Sequence, residues 1–204
     1  MRMLRRNALS FLTFMPIAAA AESAFAAPVA VPEEKPKTAG KILFVVTSHG
    51  ELGNTGRKTG YWLSEVTRPW KVLKDAGYEI DFMSPKGGEC PVEGQNPSDP
   101  VNKAFAQDLS AQKKINFTIK PSEVKPEEYK AIFFAGGHGV MWDFPDNKEL
   151  AAITSKIYEN GGVVAAVCHG PAALINVKLS NGKFLVDGKK INSFTNSEEK
   201  GIGL

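Results

Sequence analysis

"GGVVAAVCHGPAAL", Gly161 to Leu174, is an apolar, β-branched run that stops abruptly on cysteine, histidine, glycine and proline. A strand that ends this way at a sharp turn, with a helix behind it, lifts one side chain above the edge of a sheet. Gly170 permits a tight backbone, and Pro171 suits the first position of a helix that "AAL" continues. A thiol at such a helix start meets unpaired amides and the positive end of the helix dipole, which favour the thiolate. The segment therefore reads as a nucleophile carrier with Cys168 as the nucleophile, while His169, adjacent in sequence, either turns its ring to the thiol or serves only structure.

Three more short apolar runs share the character of this strand: "KILFVVTS" from Lys41, "YEIDFMS" from Tyr78 and "KAIFFAGG" from Lys130. Runs without polar alternation suit parallel strands buried on both faces. Leu150, Ile153 and Ile157 repeat at helical spacing between Pro145 and Gly161-Gly162, so a helix separates the last two strands. Strands alternating with helices predict an α/β sandwich around a parallel sheet, with its site at the carboxyl ends of the strands. "AGGHG", Ala135 to Gly139, closes one of those strands and is either a tight turn or a source of the Gly136 and Gly137 amides for an oxyanion hole. His138 and His49 also end strands, where each can contact substrate or serve only structure.

The remainder of the chain frames this domain. With 43% hydrophobic and 23% charged residues in 204, the composition is that of one globular domain. Residues 1–26 carry arginines, an apolar centre and a small-residue ending at Ala24-Phe25-Ala26, the features of an export signal. Arg5-Arg6 suggests the twin-arginine route. A periplasmic or secreted protein is expected, with no membrane attachment once the signal is removed, because the apolar segment is too short to span a bilayer. Losing three arginines and one glutamate with that segment lowers the net charge from +3 to +1. No basic stripe remains to bind nucleic acid. Residues 27–40 read as a linker and residues 41–204 as the domain. "PKGGECPVEGQNPSDP", Pro85 to Pro100, reads as a long ordered loop beside the site. "KKINSFTNSEEKGIGL" predicts a strand from Ile191, and the chain stops before any closing helix, so a further carboxyl-terminal part of the domain is expected.

Three histidines and two cysteines lack the spacing of a structural zinc site, so no metal or other cofactor is expected. A disulfide between Cys90 and Cys168 would silence the nucleophile, and Cys90 is expected to be free or redox-reactive.

Taken together, "KTGYWLSEVTRPW", "GYEIDFMSPKGG", "FFAGGHGVMWDFP", "GGVVAAVCHGPAAL" and "INSFTNSEE" resemble the ThiJ/PfpI superfamily. The likeness is to its branch of heat-shock chaperone-like and glutathione-independent glyoxalase III proteins. The resemblance implies a flavodoxin-like three-layer sandwich with Cys168 as nucleophile and His169 as its partner. It also implies Glu65 as a carboxyl group against the sulfur and Glu199, or its neighbour Glu198, as the acidic third member. Helical periodicity alone reads Glu65 differently, because Leu63, Val66, Trp70 and Leu73 form the apolar stripe and Glu65 projects off it. The activity implied is cofactor-independent conversion of methylglyoxal and related 2-oxoaldehydes to 2-hydroxy acids through a cysteine hemithioacetal. A holding chaperone, a protein deglycase and a cysteine peptidase are the alternatives, and a homodimer is compatible with each.

Overall fold

The structure is a computed structural model and describes residues 38–203. The expected export signal and the linker up to residue 37 lie outside the described residues. Gly40, assigned above to the linker, already belongs to the first strand, where it pairs with Tyr78.

In chain order the elements are β1 (Gly40–Val45), β2 (Tyr61–Trp62), α1 (Leu63–Asp75), β3 (Tyr78–Met83), β4 (Val92–Glu93), α2 (Pro100–Gln107) and α3 (Leu109–Asn116). These are followed by β5 (Tyr129–Phe134), α4 (Val140–Asp143), α5 (Lys148–Glu159), β6 (Val163–Ala166) and α6 (Asn196–Gly201). The central sheet runs β3-β1-β5-β6, and every pairing within it is parallel.

Alternation along β1 explains the three layers. Leu43 and Val45 face one way with Ile132 and Phe134, onto Leu150, Ile153 and Ile157 of α5. Ile42, Phe44 and Val46 face the other way with Ile80 and Phe82, onto Val66 and Trp70 of α1, Phe105 of α2 and Ile115 of α3. Two apolar faces are why the β1 run shows no polar alternation, whereas β3 carries Glu79 and Asp81, which bind Lys114 of α3. Phe44 is wholly buried and meets Phe82 edge-on at 5.6 Å, so truncating it to alanine would cost about 3–5 kcal/mol. The fold is thus a flavodoxin-like α/β sandwich, as the sequence predicted.

Several details differ from the sequence reading. The Pro85–Pro100 loop contains β4, which pairs in parallel with β2 and anchors the entry to α1. Helices α2 and α3 are each started by an aspartate. Asp99 accepts from the amides of Val101 and Asn102 with Pro100 in the first turn, and Asp108 accepts from that of Ala111. The strand expected from Ile191 does not form. The Phe194 amide donates at 2.9 Å to the Cys168 carbonyl instead of entering a ladder, and the chain passes directly into α6.

Candidate active site

Three strand ends and one helix start converge at the carboxyl edge of the sheet. After β6 the Val167 amide still donates to the Phe134 carbonyl, and the chain then reverses at Cys168. Cys168 adopts φ +57°, a left-handed conformation that no other non-glycine residue takes among those described. That geometry costs about 1–2 kcal/mol for a side chain with a Cβ, and strain of this kind is characteristic of catalytic turns. Gly170 contributes in a way the sequence reading did not anticipate. A Cβ there would lie 2.4 Å from the Phe134 carbonyl oxygen, so glycine serves close approach to β5.

The expected helix after Pro171 is only a 3-10 segment, Gly170–Leu174. It is too short to supply the dipole invoked to acidify the thiol, and Cys168 is indeed not acidified. Burial, and after it Glu65 once that carboxyl has ionised, push the thiol up to about 11, while the amides of Gly137 and His169 pull the other way. A group able to accept its proton stands beside the thiol. Its sulfur lies 3.2 Å from His169 Nδ1.

His169 is buried, and its Nε2 lies 2.6 Å from Glu199 Oε1. A carboxylate accepts only, so Nε2 carries the ring proton and Nδ1 is free to take one from sulfur. Phe194 packs against the His169 ring with centroids 4.7 Å apart, and its amide ties the 189–195 segment to the elbow. That tether delivers α6 to the site. At the start of α6, Glu198 is engaged with the backbone amide and hydroxyl of Thr195 in a capping box. Glu199, one position on, is the carboxylate that meets the histidines. Its partial burial favours the neutral form, but the hydrogen bonds from His169 and His138 outweigh this and hold it below the ordinary carboxylate range.

Glu65 stands on the other side of the sulfur. The Trp62 amide donates to the Gly136 carbonyl at 3.2 Å, which fixes the start of α1 against the "AGG" turn. In that first turn the Glu65 carboxyl accepts the Gly136 amide at 2.7 Å and stands beside the Cys168 sulfur. Burial raises its pKa, and the Gly136 amide, the sulfur and His169 only partly offset this. Pro69, four residues on, has no amide to give the Glu65 carbonyl, so the helical ladder is interrupted where the carboxyl must sit.

The two oxyanion candidates separate. The Gly136 amide is already committed to Glu65, which corrects its expected role; its own lack of a side chain matters more. A Cβ on Gly136 would stand 2.7 Å from both the Cys168 Cβ and the Glu65 carboxylate. Gly137 has φ +94°, and its amide, like that of His169, favours the anionic form of the sulfur.

His138 was expected at most to touch substrate; its Nε2 lies 3.1 Å from the second oxygen of Glu199, with its ring 4.4 Å from that of His169. His49 stacks on Trp142 at 4.9 Å and bonds the Glu51 carbonyl through Nε2. Sequence reasoning did not single out Asp143, a half-buried carboxyl that accepts from the Thr47 hydroxyl and the Ser48 amide and so shapes the end of β1. Cys90 and Cys168 are both free. Cys90 is half-buried against Thr118 and the Gly88 carbonyl, and burial pushes its thiol up as well. A cavity of about 510 Å³ lined by Tyr61, Cys90, Asn102 and Phe105 includes neither Cys168 nor His169.

Residues 58–197 match the DJ-1/PfpI family. This chain belongs to that family. It is 35% identical over 175 residues to the glutathione-independent glyoxalase HSP31 of Saccharomyces cerevisiae, covering 80% of this chain and 72% of the relative. Among solved structures, Rapid Encystment Protein 24 KDa of Francisella tularensis is 42% identical with a TM-score of 0.76, over 81% of this chain and 74% of that one. Glyoxalase III from Candida albicans is 32% identical with a TM-score of 0.73, over 80% and 72%.

These matches correct the localisation drawn from residues 1–26. The curated relatives are glyoxalases of Saccharomyces cerevisiae, Candida albicans and Schizosaccharomyces pombe, and the reading as a periplasmic or secreted protein does not stand. No helix among the described residues is long and apolar enough to cross a membrane.

Proposed function

We propose that this DJ-1/PfpI protein is a glutathione-independent glyoxalase that converts methylglyoxal and related 2-oxoaldehydes to 2-hydroxy acids. The observation that carries the reading is the Cys168 thiol on its strained turn, 3.2 Å from His169 Nδ1. The names of the relatives support the aldehyde substrate over the peptide or glycated-protein substrates that the same thiol could serve.

The chemistry follows from the geometry. His169 Nδ1 takes the thiol proton as sulfur adds to the aldehyde carbon, and Glu199 stabilises the imidazolium through Nε2. The new oxyanion meets the Gly137 and His169 amides and is protonated to give a hemithioacetal. His169, neutral again after protonating the oxyanion, takes the hydrogen of the former aldehyde carbon as a proton while the neighbouring carbonyl oxygen is protonated, which gives an enediol. Return of a proton to the neighbouring carbon leaves the thioester of the 2-hydroxy acid. Glu65, whose burial favours the neutral acid, gives its proton to the neighbouring carbonyl oxygen in the first of these steps and takes one back from the former aldehyde oxygen in the second. Water then cleaves the thioester, releasing acid and restoring the thiol. No electron leaves the substrate, so no redox partner is required.

The test is incubation of the purified protein with methylglyoxal in the absence of glutathione. Lactate should appear as methylglyoxal disappears. Methylglyoxal left intact would refute the reading.

A further inference from the structure

Glu199 presents its two oxygens to two imidazoles at once, and this arrangement goes beyond what a cysteine-histidine-carboxylate triad needs. His169 Nε2 lies 2.6 Å from one oxygen and His138 Nε2 3.1 Å from the other. The candidate ligand atoms of His138, His169 and Glu199 all fall within 4.8 Å of one another. His138 and Glu199 are partly open, with side-chain exposures of 19% and 25%, whereas His169 is at 5%. An ion could therefore reach the trio from solvent, with His169 at its inner end.

We propose that His138, His169 and Glu199 form a binding site for a Zn²⁺-like divalent cation, and that occupying it switches the cysteine site off. Two neutral imidazoles and one carboxylate, with a fourth position left for water, are the donor set of an open zinc site. Tetrahedral ligands at about 2.0–2.1 Å from the ion stand about 3.3 Å apart. The existing separations of 2.6 and 3.1 Å are already close to this, and the ion takes the place of two N–H···O hydrogen bonds. The three residues come from the β5–α4 turn, the β6 elbow and α6, which is why no sequence spacing announces them.

The consequence for the thiol follows from counting protons. In the free site His169 carries its proton on Nε2 and offers the Nδ1 lone pair to sulfur. When Nε2 binds the ion, the neutral ring keeps that proton on Nδ1, so it faces the sulfur as a donor and cannot accept from it. No proton is lost from the ring, yet the base is gone. This effect on turnover rests on the glyoxalase reading; the binding itself does not.

Isothermal titration of chelator-treated protein with Zn²⁺, alongside Co²⁺ absorption spectra, tests the site. Wild type and Cys168→Ala should each bind one Zn²⁺ per chain, because the sulfur faces the opposite ring nitrogen. His138→Ala and Glu199→Gln should weaken binding at least about a hundredfold, since even outer-shell partners of a metal are worth 10–100-fold. Bound Co²⁺ should show visible bands without thiolate-to-metal charge transfer, a readout on wild type that holds even where a variant fails to fold. Lactate formation should fall as Zn²⁺ is added and return with chelator. No binding at about 100 µM Zn²⁺, full binding by folded His138→Ala, or a thiolate band would overturn the proposal. Protein that binds Zn²⁺ through His138 but makes no lactate in metal-free buffer would uphold the site and refute the glyoxalase reading. Lactate formation without Zn²⁺ binding would do the reverse.

Discussion

Gly136 donates its amide to the Glu65 carboxyl across 2.7 Å, joining residues 71 positions apart, and a Cβ on Gly136 would collide with that same carboxyl. The contact fixes the start of α1 on the nucleophile turn and commits an amide otherwise free to hold an oxyanion. It separates the two simplest variants of Glu65. Glu65→Gln keeps an acceptor for the Gly136 amide and removes a buried acid, whereas Glu65→Ala orphans that amide at about 1–3 kcal/mol. Chemical denaturation at neutral pH should find Glu65→Ala destabilised by that amount and Glu65→Gln at least as stable as wild type. Both should lose about a hundredfold or more in turnover, because neither can transfer the proton.

The pH dependence of stability carries a definite sign at the same residue. Burial raises the folded pKa of Glu65 above its ordinary value. Its favourable contribution is therefore complete below the unfolded pKa and is lost as pH rises through the raised folded pKa. Wild type should lose stability relative to Glu65→Gln as pH climbs through that window. Parallel stability curves for the two proteins would show that the carboxyl is not held in the neutral form.

Cys168 alkylation reports the coupling from the other side. With the thiol pushed up to about 11 by burial and then by Glu65, iodoacetamide labelling of wild type should keep accelerating through the mildly alkaline range. Glu65→Gln removes one of those two causes, so its labelling should rise at lower pH. Cys90 lies beside no imidazole in the structure and should label more slowly than Cys168 at neutral pH. Faster labelling of Cys90 would remove the argument for an activated thiol.

The two adjacent glutamates of α6 should behave differently although the sequence barely separates them. Glu199→Gln weakens the hold on the His169 ring and should reduce kcat by about a hundredfold. Glu198→Gln keeps an acceptor for Thr195 and should change kcat little. Steady-state kinetics on the two variants decides between them, and equal losses would mean that Glu198 acts only by placing α6.

What was legible in the sequence follows from which interactions are local. The central strands were readable as short apolar stretches between turn residues, unbroken where both faces are buried, as in Ile42 to Val46. Cys168 was readable because a strand ending in Cys-His-Gly-Pro is locally unusual. Glu65 was not, because periodicity assumes that a helix buries one stripe along its whole length. The first turn of α1 packs end-on against the "AGG" turn, so a residue off the stripe becomes half-buried there. The pairing of His138 with Glu199 was hidden for a related reason, since it depends on how the Phe194 amide ties its segment to the Cys168 carbonyl. The φ of Cys168 has no sequence signal either: glycines flagged the turn, and the cysteine took the strained conformation.

The central claim is that substrate carbon becomes bonded to Cys168 during turnover. Rapid-quench mass spectrometry of the protein reacting with methylglyoxal, followed by peptide mapping, measures this directly. An adduct of substrate mass on the Cys168 peptide should rise before lactate accumulates and vanish when methylglyoxal is exhausted, and Cys168→Ala should form neither the adduct nor lactate. Lactate produced at full rate without that adduct, or by Cys168→Ala, would contradict the account.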